Sequence, residues 1–125
     1  MKREQIVHEL ITSADRNGLI PTLYAVFGRN IKLSIPLGPS TLDADVDDID
    51  FSVRACNCLK RSGMMRMRDV VEAIEDHRLL SVRNLGKTSY NEIQTKLLAL
   101  AYSKLTHTEK KQFFSDLLIR NGYAN

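Results

Sequence analysis

"RNLGKTSYNEI", Arg83 to Ile93, is the stretch on which the reading of this protein turns. Gly86-Lys87-Thr88 is the tail of a nucleotide-binding loop, whose full pattern is G-x-x-x-x-G-K-[ST] on a strand-to-helix turn. The first glycine of that pattern would stand at position 81, which is Ser81. Upstream, "DVVEAIEDHRLLSV" spaces Val70, Val71, Ile74, Leu79 and Leu80 as helices do, without the alternation of a strand. The nucleotide loop fails on both counts, and no bound nucleotide is expected.

What remains is a short helix ending near Val82-Arg83, a turn at Asn84-Leu85-Gly86, and a longer helix from about Thr88. Gly86 is expected to take a backbone conformation closed to other residues and to let a ligand approach the main chain. The amides of Gly86, Lys87 and Thr88 would then head a helix, where unpaired donors and the dipole favour an anion. Leu85 and Ile93 can anchor the two arms in one core. This is the pattern of a helix-hairpin-helix, which holds a nucleic-acid phosphate. An ordinary helix-helix connection, in which glycine is also common, fits the same residues.

A protein of 125 residues with 43% hydrophobic residues can form one domain, or a small domain with extensions. It has no apolar run of membrane-spanning length and no signal peptide, so a cytoplasmic protein without a membrane partner is expected. Cys56 and Cys58 are two positions apart and cannot cross-link the fold. On a helix they point to opposite faces, and His8, His77 and His107 are scattered, so no metal site is expected. Paired carboxylates, a nucleophile-base set and a cofactor loop are all missing, which argues against an enzyme or a cofactor. The net charge of +3 is uneven: residues 1–50 sum to −3, residues 51–101 to +4 and residues 102–125 to +2. A basic middle beside an acidic segment suggests a nucleic-acid face on one part only.

Periodicity predicts an all-α protein. A first helix over Arg3–Arg16 carries the stripe Ile6, Val7, Leu10, Ile11 and Ala14 and stops at Asn17-Gly18. A shorter one has Pro21 in its first turn and ends at Gly28. "IKLSIPLGPS" reads as an extended connector and "TLDADVDDID" as an acidic loop. Ser52 is placed to cap a helix to about Arg61 that buries Val53, one of the two cysteines and Leu59. Helices follow over Arg68–Asp76 and around Arg78–Val82. After Gly86, Tyr90, Ile93, Leu97, Leu98 and Ala101 form one apolar side. The last helix opens with a Thr106–Glu109 capping box, and its stripe of Phe113, Phe114, Leu117 and Leu118 is expected to pack within the same molecule.

"DIDFSVRACNCLKRSG" together with "LLSVRNLGKTSYNEI" resembles the C-terminal domain of the bacterial RNA polymerase alpha subunit. That family typically shows an acidic lead-in, a V-R-x-x-N-C-L-K helix and an N-L-G-[KR]-x-S-x-x-E-I turn and helix. The resemblance covers about Asp48 to Leu100. It implies a compact helical domain with a helix-hairpin-helix core that binds double-stranded DNA in the A·T-rich minor groove. By this resemblance Arg54 enters the minor groove, and Asn57 and Cys58 contact the sugar-phosphate backbone. Gly86, Lys87, Thr88 and Ser89 belong to the phosphate-gripping turn, which Glu92 helps to arrange. Asp48 and Asp50 match an acidic patch presented to the sigma factor. RNA polymerase, sigma factor or a transcription regulator are the implied protein partners.

Two departures stand out. Thr88 replaces a common second lysine, and the stretch between Asp69 and Leu79 is one residue longer than usual. The expected organisation is an N-terminal helical extension (1–45), the alpha-C-terminal-like domain (46–103) and a C-terminal helix (104–125). With no large assembly domain ahead of the module, a stand-alone, non-catalytic DNA-binding protein acting in transcription is expected. The alternative keeps the fold as a protein-interaction module without DNA binding.

Overall fold

The computed structural model describes residues 2–28 and 31–123. It is all-α, as the periodicity predicts. The helices are α1 (Arg3–Asn17), α2 (Leu19–Phe27), α3 (Pro39–Leu42), α4 (Val53–Arg61), α5 (Met67–Glu75), α6 (Lys87–Ser103) and α7 (His107–Arg120). Single 3-10 turns occur at Val46–Asp48 and Leu79–Ser81. Among the described residues no helix is long and apolar enough to cross a membrane.

The protein folds into two compact units that do not follow three consecutive segments. Residues 1–36 and 98–125 form one unit, and residues 37–97 the other. The reason lies in the two end stripes. Val7, Leu10, Ile11 and Ala14 of α1 are buried at helical spacing, as are Phe113, Phe114, Leu117 and Leu118 of α7. The two helices pack on one another, and α2 packs on α1. Tyr102 joins Phe113 and Phe114 in an edge-on cluster with ring centroids 5.2 to 5.7 Å apart.

The stretch read as a connector is part of this core. Ile31, Leu33 and Ile35 alternate inward and are buried. The side-chain amide of Asn121 pairs with Lys32 as a neighbouring strand would: Lys32 N donates to Oδ1 at 2.9 Å, and Nδ2 donates to Lys32 O at 3.1 Å. A buried extended segment needs its main-chain groups satisfied, and this amide satisfies two of them.

In the second unit Val46, Leu59, Met67, Val70, Leu79, Ile93 and Leu97 are wholly buried. The segment read as an acidic loop holds the end of α3 and a 3-10 turn around buried Val46. Two of its five aspartates are tied down locally. Arg68 pairs with Asp43 at 2.8 Å, and Lys60 pairs with Asp47.

Candidate nucleic-acid interface

Helix α4 starts where a cap is available. Ser52 Oγ accepts from Ala55 N at 3.1 Å, satisfying one of the free amides of the first turn. Glu92, on α6, then fixes this helix end. Its carboxylate accepts from Ser52 N at 2.6 Å and from Ser52 Oγ at 2.9 Å, and Lys96 lies 3.5 Å away. Burial alone would raise the Glu92 carboxyl. The two Ser52 donors and the Lys96 charge outweigh burial and hold it below its ordinary value.

The turn before α6 is shaped differently from the sequence expectation. The residue with a left-handed backbone is Asn84, at φ 66°, and Gly86 is outside that region. Asparagine is among the few residues that adopt this conformation readily. Leu85 N closes the turn on Val82 O at 3.2 Å, and Tyr90 N reaches Gly86 O at 3.0 Å as α6 begins. A Cβ built on Gly86 meets nothing within 4 Å. The glycine therefore leaves bare backbone facing open space at a helix N-terminus; it is not there to relieve a clash.

α4 and this turn enclose a groove of about 820 Å³. Arg54, Asn57 and Arg61 line it from α4, and Asn84, Leu85 and Gly86 line it from the turn. Their spacing explains the shared face: at 100° per residue, positions 54, 57 and 61 fall within about 60° of each other on a helix. Arg54 and Arg61 are exposed and, among the described residues, neither enters an ion pair. Elsewhere in this unit Lys60, Arg68 and Lys96 are paired with carboxylates.

Each expected site residue can now be placed. Arg54, Asn57 and Gly86 meet at the groove. Lys87 and Thr88 follow Gly86 on the first turn of α6 and are exposed, whereas Ser89 is buried. Cys58 also lines the groove. It is 6% exposed, and its thiol donates to Asn84 O at 3.3 Å, tying α4 to the turn. Cys58 thus ties α4 to the turn, and Glu92 ties the start of α4 to α6. Val53, expected in the core, is 78% exposed at the first position of α4; Ala55 takes the buried place instead.

Asp48 and Asp50 are exposed and border a second hollow of about 440 Å³ beside Ile49 and Phe51. Val53 and Asn57 contribute to both hollows. Arg61 and Asn84 were missed in the sequence. The signal for Arg61 was its spacing of seven from Arg54, and for Asn84 its place as the turn's asparagine.

The profile of one family, described as the C-terminal domain of the bacterial RNA polymerase alpha subunit, matches residues 35–99. Curated relatives include the DNA-directed RNA polymerase subunit alpha of Clavibacter michiganensis subsp. michiganensis (strain NCPPB 382) and that of Clavibacter sepedonicus. Each is 34% identical over 108 residues, covering 76% of this protein and 31% of the relative. The protein thus spans about a third of the length of the relatives it matches. No solved structure matches. The family match takes in the groove, the Ser52 cap, the Glu92 brace and the turn, and covers more than half of the 125 residues: this protein belongs to the family of the C-terminal domain of the bacterial RNA polymerase alpha subunit.

Proposed function

We propose that this protein is a non-catalytic DNA-binding module acting in transcription, and that the groove between α4 and the turn before α6 receives the DNA backbone and minor groove. One observation carries the reading. Two arginines outside any ion pair among the described residues, an exposed asparagine and a bare glycine at a helix N-terminus converge on one groove, while Lys60, next to Arg61, is paired with Asp47. Arg54 is the residue for the minor groove, because a long cation suits the enhanced negative potential of narrow A·T-rich tracts. Asn57 supplies hydrogen bonds to sugar or phosphate oxygens. The amides that open α6 receive a phosphate, helped by the helix dipole and by Lys87.

Fluorescence anisotropy with labelled A·T-rich and G·C-rich duplexes, at two salt concentrations, tests this. Salt-dependent binding with an A·T preference is expected, and Arg54→Ala should weaken binding and erode the preference. Equal binding to both duplexes, unaffected by Arg54→Ala, would refute the minor-groove assignment.

A second reading has its own observation. Asp48 and Asp50 are exposed, are outside any ion pair among the described residues, and lie beside solvent-exposed Val53. Such a mixed acidic and apolar rim suits a basic protein surface, such as one on RNA polymerase, sigma factor or a regulator. Loss of polymerase co-purification in an Asp48→Asn, Asp50→Asn double variant that still binds DNA would support this contact. Unchanged co-purification would remove it.

A further inference from the structure

We infer that Arg61 is a second phosphate-binding residue of the groove and supplies the charge that uncharged Thr88 does not. The inference rests on the DNA-binding reading above and extends it by one residue and one role.

Arg61 lies in the last turn of α4, seven positions after Arg54. Two helical turns separate the two residues, a rise of about 10.5 Å, on nearly the same face. The minor groove of B-DNA is about 6 Å wide. If Arg54 occupies that groove, a side chain displaced by two turns on the same face falls outside it, over the phosphates of one bordering strand. Arg61 also lines the same groove as Gly86, so Arg61 and the residue that immediately precedes α6 border one space. Helix α6 offers backbone donors, a dipole and Lys87 there, but its next side chain, Thr88, bears no charge.

Other uses for Arg61 do not appear among the described residues. Lys60, next to it, pairs with Asp47, and Arg68 pairs with Asp43, whereas Arg61 is exposed and joins no carboxylate. A planar guanidinium matches phosphate oxygens in a bidentate manner, which a threonine cannot do.

The test is a salt series on the full-length protein with one mixed-sequence, one A·T-rich and one G·C-rich duplex. Arg61→Ala should make the slope of log affinity against log salt shallower by about 0.9, because one phosphate contact is lost. It should weaken binding to all three duplexes by the same factor, since phosphate contacts position without specifying sequence. Arg61→Lys should retain most of the slope. Adding Thr88→Lys to Arg61→Ala should restore it, and this rescue is an outcome that a merely structural role for Arg61 would not give. Thermal melts of each variant should match the parent, because position 61 is exposed and alanine is a good helix former. A parent slope retained in Arg61→Ala, or a loss confined to the A·T-rich duplex, would overturn this inference and leave the DNA-binding reading standing. A parent protein that binds none of the duplexes would overturn both.

Discussion

Replacing Gly86 by alanine separates a turn that needs glycine for its shape from one that needs it for access. The structure gives shape no part in it: the left-handed residue is Asn84, and a Cβ at Gly86 meets nothing within 4 Å. Two small folding terms then oppose each other. Alanine restricts the unfolded state and stabilises by about 0.4–1 kcal/mol. Alanine is also a poorer residue than glycine just before a helix, which costs about 0.5 kcal/mol. The net change is within about 0.5 kcal/mol, and the melting temperature should move by no more than about 3 °C. DNA binding should respond quite differently. The added methyl projects from the backbone that opens α6 and holds a phosphate away from its amides. Losing one charge-assisted hydrogen bond costs about 1.5–3 kcal/mol, or roughly tenfold to a hundredfold in affinity. Circular dichroism melts and anisotropy titrations between 50 and 200 mM salt, on the order of the range where such contacts are most sensitive, measure both. A variant that melts like the parent and binds DNA equally well would refute phosphate binding by this turn. A fall of many degrees in melting temperature would refute the backbone argument.

Asn84→Ala should cost about 1 kcal/mol, because alanine has no side chain to ease a left-handed backbone, whereas Asn84→Gly should be tolerated; urea midpoints of the pair decide it. Glu92→Gln removes a charged acceptor from Ser52 and should destabilise by about 1 kcal/mol at pH 7. Because the folded Glu92 carboxyl sits below its ordinary value, its contribution is present above the unfolded pKa, about 4.3, and is lost as pH falls through the folded one. The gap in melting temperature between parent and variant should therefore close on acidification, and a gap that widens would show the opposite sign of linkage. Phe114→Ala empties a fully buried site between Tyr102 and Phe113 and should cost about 3–5 kcal/mol by denaturant unfolding.

Local signals were legible where one short segment carried the whole instruction. Ser52 caps α4, Thr106 and Glu109 box the start of α7, and the stripes of α1 and α7 are buried as their spacing predicts. The candidate site was named in the same way, since Arg54, Asn57 and Gly86, which line one groove, lie in motifs that the family makes recognisable. What escaped depends on partners far along the sequence. Ile31, Leu33 and Ile35 look like a connector until Asn121, 89 positions away, satisfies the backbone between them. The acidic segment looks like a solvated loop until Arg68 and Lys60 pair with two of its aspartates, Asp43 and Asp47. Val53 is apolar, but at about 100° per residue it stands opposite buried Ala55, Cys58 and Leu59, on the side of α4 that lines the groove. Arg61 was read only as the end of its helix, because the groove it shares with Arg54 and the turn exists only in the folded protein. Gly86 drew the conformational role that belongs to Asn84, since a φ angle is set by the folded turn and not by residue type alone.

The first compact unit, made of residues 1–36 and 98–125, has a consequence for how the protein is made. Ninety positions separate the end of α1 at Asn17 from the start of α7 at His107. At a synthesis rate of roughly 5–20 residues per second, the apolar stripe of α1 waits about 5–18 seconds for the helix that covers it. Residues 37–97 are contiguous and suffer no such delay, so they can close while the ribosome is still adding α7. The unit whose groove carries the proposed function is thus the one made of consecutive residues. The unit that holds the earlier-made α1 closes last, and until then the apolar stripe of α1 lacks the cover that α7 gives it.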